Sequence, residues 1–374
     1  MVLLMVTVLA LLFYAVLIRY YHHHWKRLPI FEYKKITAPL PFVSVVIAAR
    51  NEEKSLPLLL KSLQQQTYPQ QNFEVIVVDD FSTDGTANVC FSFCNSNIHF
   101  TQPDVQPEVS NKKRAIEAGV KNAKGTLIVI TDADCLPKPQ WVELMAHFHQ
   151  QKEAVFIAAP VKFVHNNSLL QLFQSIDFLT LQGITAASVS AGFHSMCNGA
   201  NLAYTKKAFE EVDGFAGIDK VASGDDMLLM HKIKKAYPGQ VHYLKHQQAI
   251  MSTQPMVIWK DFIMQRRRWA SKTAYYDDKT VLYVLLLVYL FNLLFLVLLV
   301  ASFFNLFYGY VLAGYLILKT LIEWPFVNSV AQFYGEEKSM KYFPLLQPLH
   351  IVYTISVGLL SQLGKYNWKG RKLK

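Results

Sequence analysis

Asp132 and Asp134 flank Ala133 directly after the apolar run Leu127-Ile128-Val129-Ile130. Two carboxylates so spaced on one loop can hold a hard divalent cation, Mg2+ or Mn2+, together with the oxygens of a substrate diphosphate. A lone Asp-x-Asp is a weak signal, because chance produces many. Here a second acidic pair, Asp79-Asp80, follows Val75-Ile76-Val77-Val78, and Arg50-Asn51-Glu52-Glu53 follows the run Val43–Ala49. Asp84 has the simpler reading of a helix cap. Capping explains the pairs poorly, since like charges repel unless something positive lies between them. Downstream, Asp225-Asp226 offers a carboxylate able to accept a proton. Gln265-Arg266-Arg267-Arg268-Trp269 offers guanidinium charge, although a basic flank lying on anionic lipid would read the same way.

The runs that carry these groups are short, apolar and β-branched, which suits strands buried on both faces of a parallel sheet. Between them lie helical stretches: Lys54 to Gln66, one opened by Asp84-Gly85-Thr86, and Asn111 to Lys124 closed by Gly125. Alternation of this kind predicts an α/β domain, a largely parallel sheet flanked by helices. Three strands in succession then deliver polar groups at their carboxyl ends, the edge where open α/β sheets bind ligands. No Gly-x-Gly-x-x-Gly follows the first strand and no Walker loop is present, which argues against dinucleotide enzymes and nucleotide hydrolases.

The chain has 374 residues, 52% of them hydrophobic, with a mean hydropathy of +0.19, and the apolar excess lies at its ends. Val2 to Ile18 is uncharged and followed by Arg19, Lys26 and Arg27. A cleaved signal would carry its basic residues before the run, so 1–18 is expected to be an anchor that leaves the next domain in the cytosol. Val281 to Phe304 is the clearest span. Leu306 to Ile322 is another, with Lys319 expected to snorkel near its end. Phe343 to Leu363 holds Pro344, Pro348, His350 and two glutamines, and is expected to lie in the interface or re-enter. The expected domains are therefore the anchor at 1–18, a soluble domain at 41–279 and a membrane region at 281–374 ending in a basic tail. The net charge of +10 fits membrane topology; no arginine stripe with interleaved aromatics suggests nucleic acid. The four cysteines are too few for a disulfide framework, and Cys90 and Cys94 read as reduced core residues. His22-His23-His24 reads as a polar membrane flank rather than a metal tract.

The runs VSVVIAARNEE, VIVVDDFSTDGT and NKKRAIEAGVKNAKGTLIVITDADC, then CNGANLAYTKKAFEEVDGF, SGDDMLLM and QRRRW, stand in this order. Together they resemble the inverting glycosyltransferases of family 2, with a GT-A fold, over roughly Pro41 to Lys272. One N-terminal and two or three C-terminal membrane helices would then accompany a GT-A-type domain. The resemblance implies a donor pocket of Ala48, Arg50, Glu52, Asp79 and Asp80, with Lys112 or Lys113 as the basic residue near the donor. It implies Asp132 and Asp134 for the metal and diphosphate, and Asn198, Gly199 and Asn201 beside the donor sugar and acceptor. Asp226, with Asp225 as its neighbour, resembles the catalytic base. Gln265, Arg266, Arg268 and Trp269 resemble the motif near diphosphate and acceptor.

Transfer from a nucleotide sugar needs an acceptor hydroxyl relieved of its proton and a stabilised diphosphate leaving group. The sequence offers Asp226 for the proton, Asp132, Asp134, a metal and Arg266 or Arg268 for the charge, and the Trp269 face for a sugar ring. Trp269 has a competing reading as an interfacial belt residue. The implied donor is a nucleotide sugar, UDP being the family's commonest, and the acceptor a membrane lipid or a glycan. The expected setting is a multi-pass bacterial membrane, with no nucleic-acid partner. A processive polysaccharide synthase is the alternative, and an inactive membrane scaffold a second.

Overall fold

The computed structural model describes residues 1–33, 39–104, 112–218, 224–271 and 278–361, with the backbone of 366–368 and 371–373. Ser223, Asn111 and the side chains of the basic tail, all used in the sequence reading, lie outside the described residues. The chain opens with α1 (Val2–Arg27), β1 (Val43–Ala49), α2 (Leu56–Gln64), β2 (Phe73–Asp79), α3 (Thr86–Phe93) and β3 (Ile98–Thr101). It continues through α4 (Lys112–Asn122), β4 (Leu127–Asp132), α5 (Trp141–Lys152), β5 (Phe156–Ala158), β6 (Val161–Phe163) and α6 (Leu169–Ala191). There follow β7 (Leu202–Thr205), α7 (Lys206–Glu211), α8 (Asp225–Ala236), β8 (Val241–Tyr243), β9 (Met251–Thr253) and α9 (Trp259–Ala270). Three long helices, α10 (Lys279–Ser302), α11 (Leu306–Tyr334) and α12 (Phe343–Ser361), precede a terminal hairpin, β10 (Tyr366–Trp368) and β11 (Arg371–Leu373).

These elements divide into two compact units, and the cut differs from the sequence boundaries. One unit, residues 28–164 and 195–254, is the α/β part. Its seven-stranded sheet has the order β3-β2-β1-β4-β7-β5-β8. The pairs β3-β2, β2-β1, β1-β4 and β5-β8 are parallel; β7 alone runs against its neighbours. As the apolar runs predict, β2 is buried at every residue and β1 at all but Ala48. Helix α4 lies so close to the sheet that a Cβ on Gly119 would stand 2.4 Å from Val46 Cγ1. In-register parallel pairing sets Ala48 opposite both Val78 and Asp132, so β1, β2 and β4 end side by side and their polar loops share one edge. Cys90 is buried, but Cys94 is exposed just past α3, so only the first is a core residue.

The other unit, residues 1–27, 165–194 and 255–374, holds the apolar helices. Among the described residues, four stretches are long and apolar enough to cross a membrane: Val2–Arg27, Lys279–Ser302, Leu306–Tyr334 and Glu337–Ser361. Helices α6 and α9, placed by the sequence reading within the soluble domain, belong to this unit instead. Ser168 caps α6, Asp278 caps α10 and Asn305 caps α11, each accepting from a backbone N–H of the first turn. Helix α6 meets α11 through Gly183, where a Cβ would lie 2.5 Å from Val330 Cγ2. Two expectations are corrected here. Helix α1 runs on to Arg27, and α11 runs through Pro325 to Tyr334 rather than stopping at Ile322. Lys319 does not snorkel. It is wholly buried, with Nζ 2.6 Å from both Glu323 Oε1 and Gln347 Oε1. Gln347 Nε2 donates to Glu323 Oε2 at 2.5 Å, and the Tyr14 hydroxyl donates to Glu323 Oε1. The charge reaches balance inside the helices rather than water outside them.

Candidate active site

At the carboxyl edge of β1 and β2 the loops interlock. Arg50 Nη1 donates to the Asp80 carbonyl at 2.5 Å and lies 3.8 Å from its carboxylate. Asn51 and Phe81 both have positive φ, 54° and 55°, a conformation non-glycine residues hold only when the surroundings enforce it. The enforcement is visible. Asn51 N donates to Ser82 Oγ at 2.9 Å, and Thr83 N donates to Asn51 Oδ1 at 2.8 Å. Asp79 is buried and spent within the loop: Ser82 N donates to Oδ1 at 3.1 Å and Gln102 Nε2 to Oδ2 at 2.9 Å. Glu52 accepts from the Ser55 hydroxyl at 2.5 Å, and its N–H donates to Thr86 at 2.8 Å. Asp84 accepts from Thr86 N at 3.0 Å, but the N-cap position of α3 is Gly85, so Asp84 stands one residue before the cap rather than at it.

The end of β4 carries the densest chemistry. Ligand atoms of Asp132, Asp134 and Cys135 all lie within 4.8 Å of one another. Partial enclosure pushes the Asp134 carboxyl up to about 6, with the Asp132 and Glu52 carboxylates adding to it. Two carboxylates this close together are a donor set that fits a hard divalent cation. Cys135, which the sequence reading passed over, adds a buried thiol whose burial holds its proton on well above the ordinary thiol range.

The adjacent lysines Lys112 and Lys113 take different partners. Lys113 points away from the edge, is buried and donates to the Ile218 carbonyl. Lys112 points into it, with Nζ 2.5 Å from Asp132 Oδ1 and 3.2 Å from Asp225 Oδ2. Burial works against its charge, but Asp132 and Asp225 outweigh that and hold the ammonium above the usual lysine range.

Asp225 and Asp226 open α8 and take different partners. While Asp225 meets Lys112, Asp226 Oδ2 accepts from Gly199 N at 3.0 Å and Oδ1 from Met227 N at 2.8 Å. Asn198 Oδ1 accepts from Ala200 N at 3.0 Å, folding the loop that presents Gly199. Asn201 braces that loop from beneath. It is wholly buried; its amide donates to the Pro160 and Ala249 carbonyls at 2.7 and 2.8 Å and accepts from Trp141 at 2.8 Å. No donor remains on it for a ligand.

Gln265, Arg266, Arg268 and Trp269 lie on α9, in the unit of apolar helices. Arg266 is buried, 2.9 Å from Asp177 of α6, and its guanidinium lies 4.3 Å from the Trp269 ring centroid. His350 of α12 reaches the same carboxylate at 3.7 Å. Arg266 therefore joins helices of its own unit.

Residues 44–213 match the sequence family described as "Glycosyl transferase family 2". Glycosyltransferase AglE of Haloferax volcanii is 27% identical over 203 residues, 54% of this chain and 63% of that protein. Dolichyl-phosphate beta-glucosyltransferase ALG5D of Trichomonas vaginalis is 39% identical over 104 residues, 26% of this chain and 31% of that protein. Each alignment thus spans less than two thirds of the relative. The mannosyltransferase PcManGT of Pyrobaculum calidifontis, solved in complex with GDP-Man and Mn2+, superposes with a TM-score of 0.59 at 18% identity, covering 97% of this chain and 99% of that one. It shares the fold.

Proposed function

We propose that this chain, whose residues 44–213 match glycosyl transferase family 2, moves a sugar from a nucleotide diphosphate donor to a hydroxyl of a membrane-held acceptor, with inversion. The observation that carries the reading is the convergence at one sheet edge of the Asp132, Asp134 and Cys135 group with Lys112, Asp225 and Asp226. That edge joins charge for a diphosphate to a carboxylate for a proton.

Two backbone donors hold Asp226 in one orientation. It takes the acceptor proton as the hydroxyl oxygen forms its bond to the anomeric carbon, opposite the leaving diphosphate. The bond from that carbon to the diphosphate oxygen breaks, and the electron pair leaves on the phosphate. A divalent cation bound by Asp132 and Asp134 would supply neutralising charge to that phosphate. Lys112 adds a second positive group. Arg50, Glu52 and Asp80 form the edge for the base and ribose; Asp79 and Asn201 act beneath it as supports. The resemblance alone gives Gln265, Arg268 and Trp269 their parts at the diphosphate and acceptor. The basic residues toward the end of α1 favour a cytosolic catalytic side, and the apolar unit favours an acceptor with a lipid portion.

The test is to incubate membranes containing the protein with a panel of labelled UDP- and GDP-sugars. Label should enter the solvent-extractable lipid fraction with one of them. Label in a high-molecular-weight fraction would instead make the enzyme a polymer synthase. Neither transfer nor donor hydrolysis with any donor would leave an inactive scaffold.

A further inference from the structure

Lys112 is placed where a cation is needed and where a metal would also need to be. Its Nζ touches Oδ1 of Asp132, a proposed metal ligand, and Oδ2 of Asp225, beside the proposed base. A Cβ built on Gly199 would lie 3.2 Å from that Nζ, 3.5 Å from Asp226 Oδ2 and 3.6 Å from Asp225 Oδ2, so the ammonium fills the space between three carboxylates and the loop. An ammonium and a divalent ion carry the same sign, and both sharing Asp132 at contact distance is strongly unfavourable. The long, flexible lysine stem lets the charge move, and a donor brings in the new anion, a diphosphate.

We propose that Lys112 is an internal counter-cation, which neutralises Asp132 and Asp225 while the site is empty and passes to the donor diphosphate when the metal takes Asp132. This rests on the metal-dependent transfer proposed above. It makes a specific demand: metal alone must displace the lysine with nothing to receive it, whereas metal with nucleotide does not. Metal and nucleoside diphosphate therefore bind cooperatively, and the cooperativity resides in Lys112. By linkage the enhancement is reciprocal.

The experiment is a Mn2+ titration of the full chain in detergent, read by the electron paramagnetic resonance of free Mn2+. It is run alone and with saturating UDP or GDP, each corrected by a protein-free control. In the native protein the nucleotide should tighten Mn2+ binding by roughly tenfold or more, within the usual range of such couplings. Lys112→Met should bind Mn2+ alone more tightly than the native chain and lose most of the enhancement, while Lys112→Arg, which keeps the charge, should stay weak for Mn2+ alone. Lys112→Met binding Mn2+ alone no more tightly than native overturns the proposal. So does a native chain that binds Mn2+ equally with and without nucleotide, a result that needs no variant to fold and leaves the metal-dependent reading standing. No Mn2+ binding under either condition removes both.

Discussion

Asp225 and Asp226 are adjacent, yet one is held by an ammonium and the other by two backbone amides. Asp226→Asn keeps the shape and the approach to Gly199 but cannot take a proton. We expect nucleotide affinity to be retained and turnover to fall about 10²–10⁴-fold, the usual share of a positioned general base. An active Asp226→Asn beside a dead Asp225→Asn would assign the role to the wrong neighbour. The Asp134 carboxyl, pushed up by enclosure and then by the neighbouring carboxylates, sets a second expectation. Mn2+ at a hundred times its dissociation constant should stabilise the native chain by about 2.7 kcal/mol, and Asp134→Ala should remove most of that gain. An unchanged melting temperature on adding Mn2+ to the native chain would count against the site. At this scale the sequence revealed the acid pairs, because their position after apolar runs is a local pattern. It could not separate Lys112 from Lys113, because neighbours on a helix differ only in the direction they face. Nor could it tell that Asp79 and Asn201 are supports: Gln102, Trp141, Pro160 and Ala249 meet them only in the folded chain.

Among the elements, the glycines show where helices touch. Gly183 of α6 lies against Val330 and Phe326 of α11, where a Cβ would stand 2.5 and 3.0 Å from their side chains. Gly183→Leu should cost about 1–3 kcal/mol, as overpacking does, seen as a lower melting temperature in detergent. Gly314, on the same α11, has nothing within 4 Å of its would-be Cβ, so Gly314→Ala should be neutral. Equal effects from the two would mean that α6 does not pack on α11. The strands and most α/β helices are legible from alternation and burial alone. Helices α6 and α9 are not. Gln171, Gln174, Ser175 and Asp177 are buried in α6, and such polar residues read as a soluble helix until their partners are known. Gln174 is met by Met256 N at 3.0 Å, and Asp177 by Arg266. The same blindness ended α11 too early, since Lys319 reads as a terminus unless Glu323 and Gln347 are seen to answer it.

For the whole molecule, the membrane reading predicts a topology. With the α/β unit in the cytosol, α10 leaves and α11 returns. Glu336, just past α11, lies 3.1 Å from His165, just before α6, a contact within the unit of apolar helices. A fourth crossing from the 337–361 stretch, long and apolar enough by composition, would put the basic tail outside, against the positive-inside tendency. An interfacial or re-entrant α12 would keep it in the cytosol, and that is the expected arrangement. A cysteine at Leu373 decides it, once the four native cysteines are replaced by serine. Protection from an impermeant thiol reagent until cells are opened is the expected result; labelling of intact cells would mean four crossings.

The buried cluster around Lys319 also bears on how the chain is made. Lys319 and Glu323 stand one turn apart on α11, and a charged residue at the centre of a lone inserting helix costs about 2.5–3.5 kcal/mol. Their partners come from opposite ends of the chain: Tyr14 is synthesised long before α11, and Gln347 after it. While Gln347 is still in the ribosome, α11 can satisfy Glu323 through Lys319 and α1, but the lysine has only half its final partners. In a membrane, the contact of Lys319 with Gln347 would couple release of this helix into lipid to emergence of α12, and the order of synthesis would become an order of assembly.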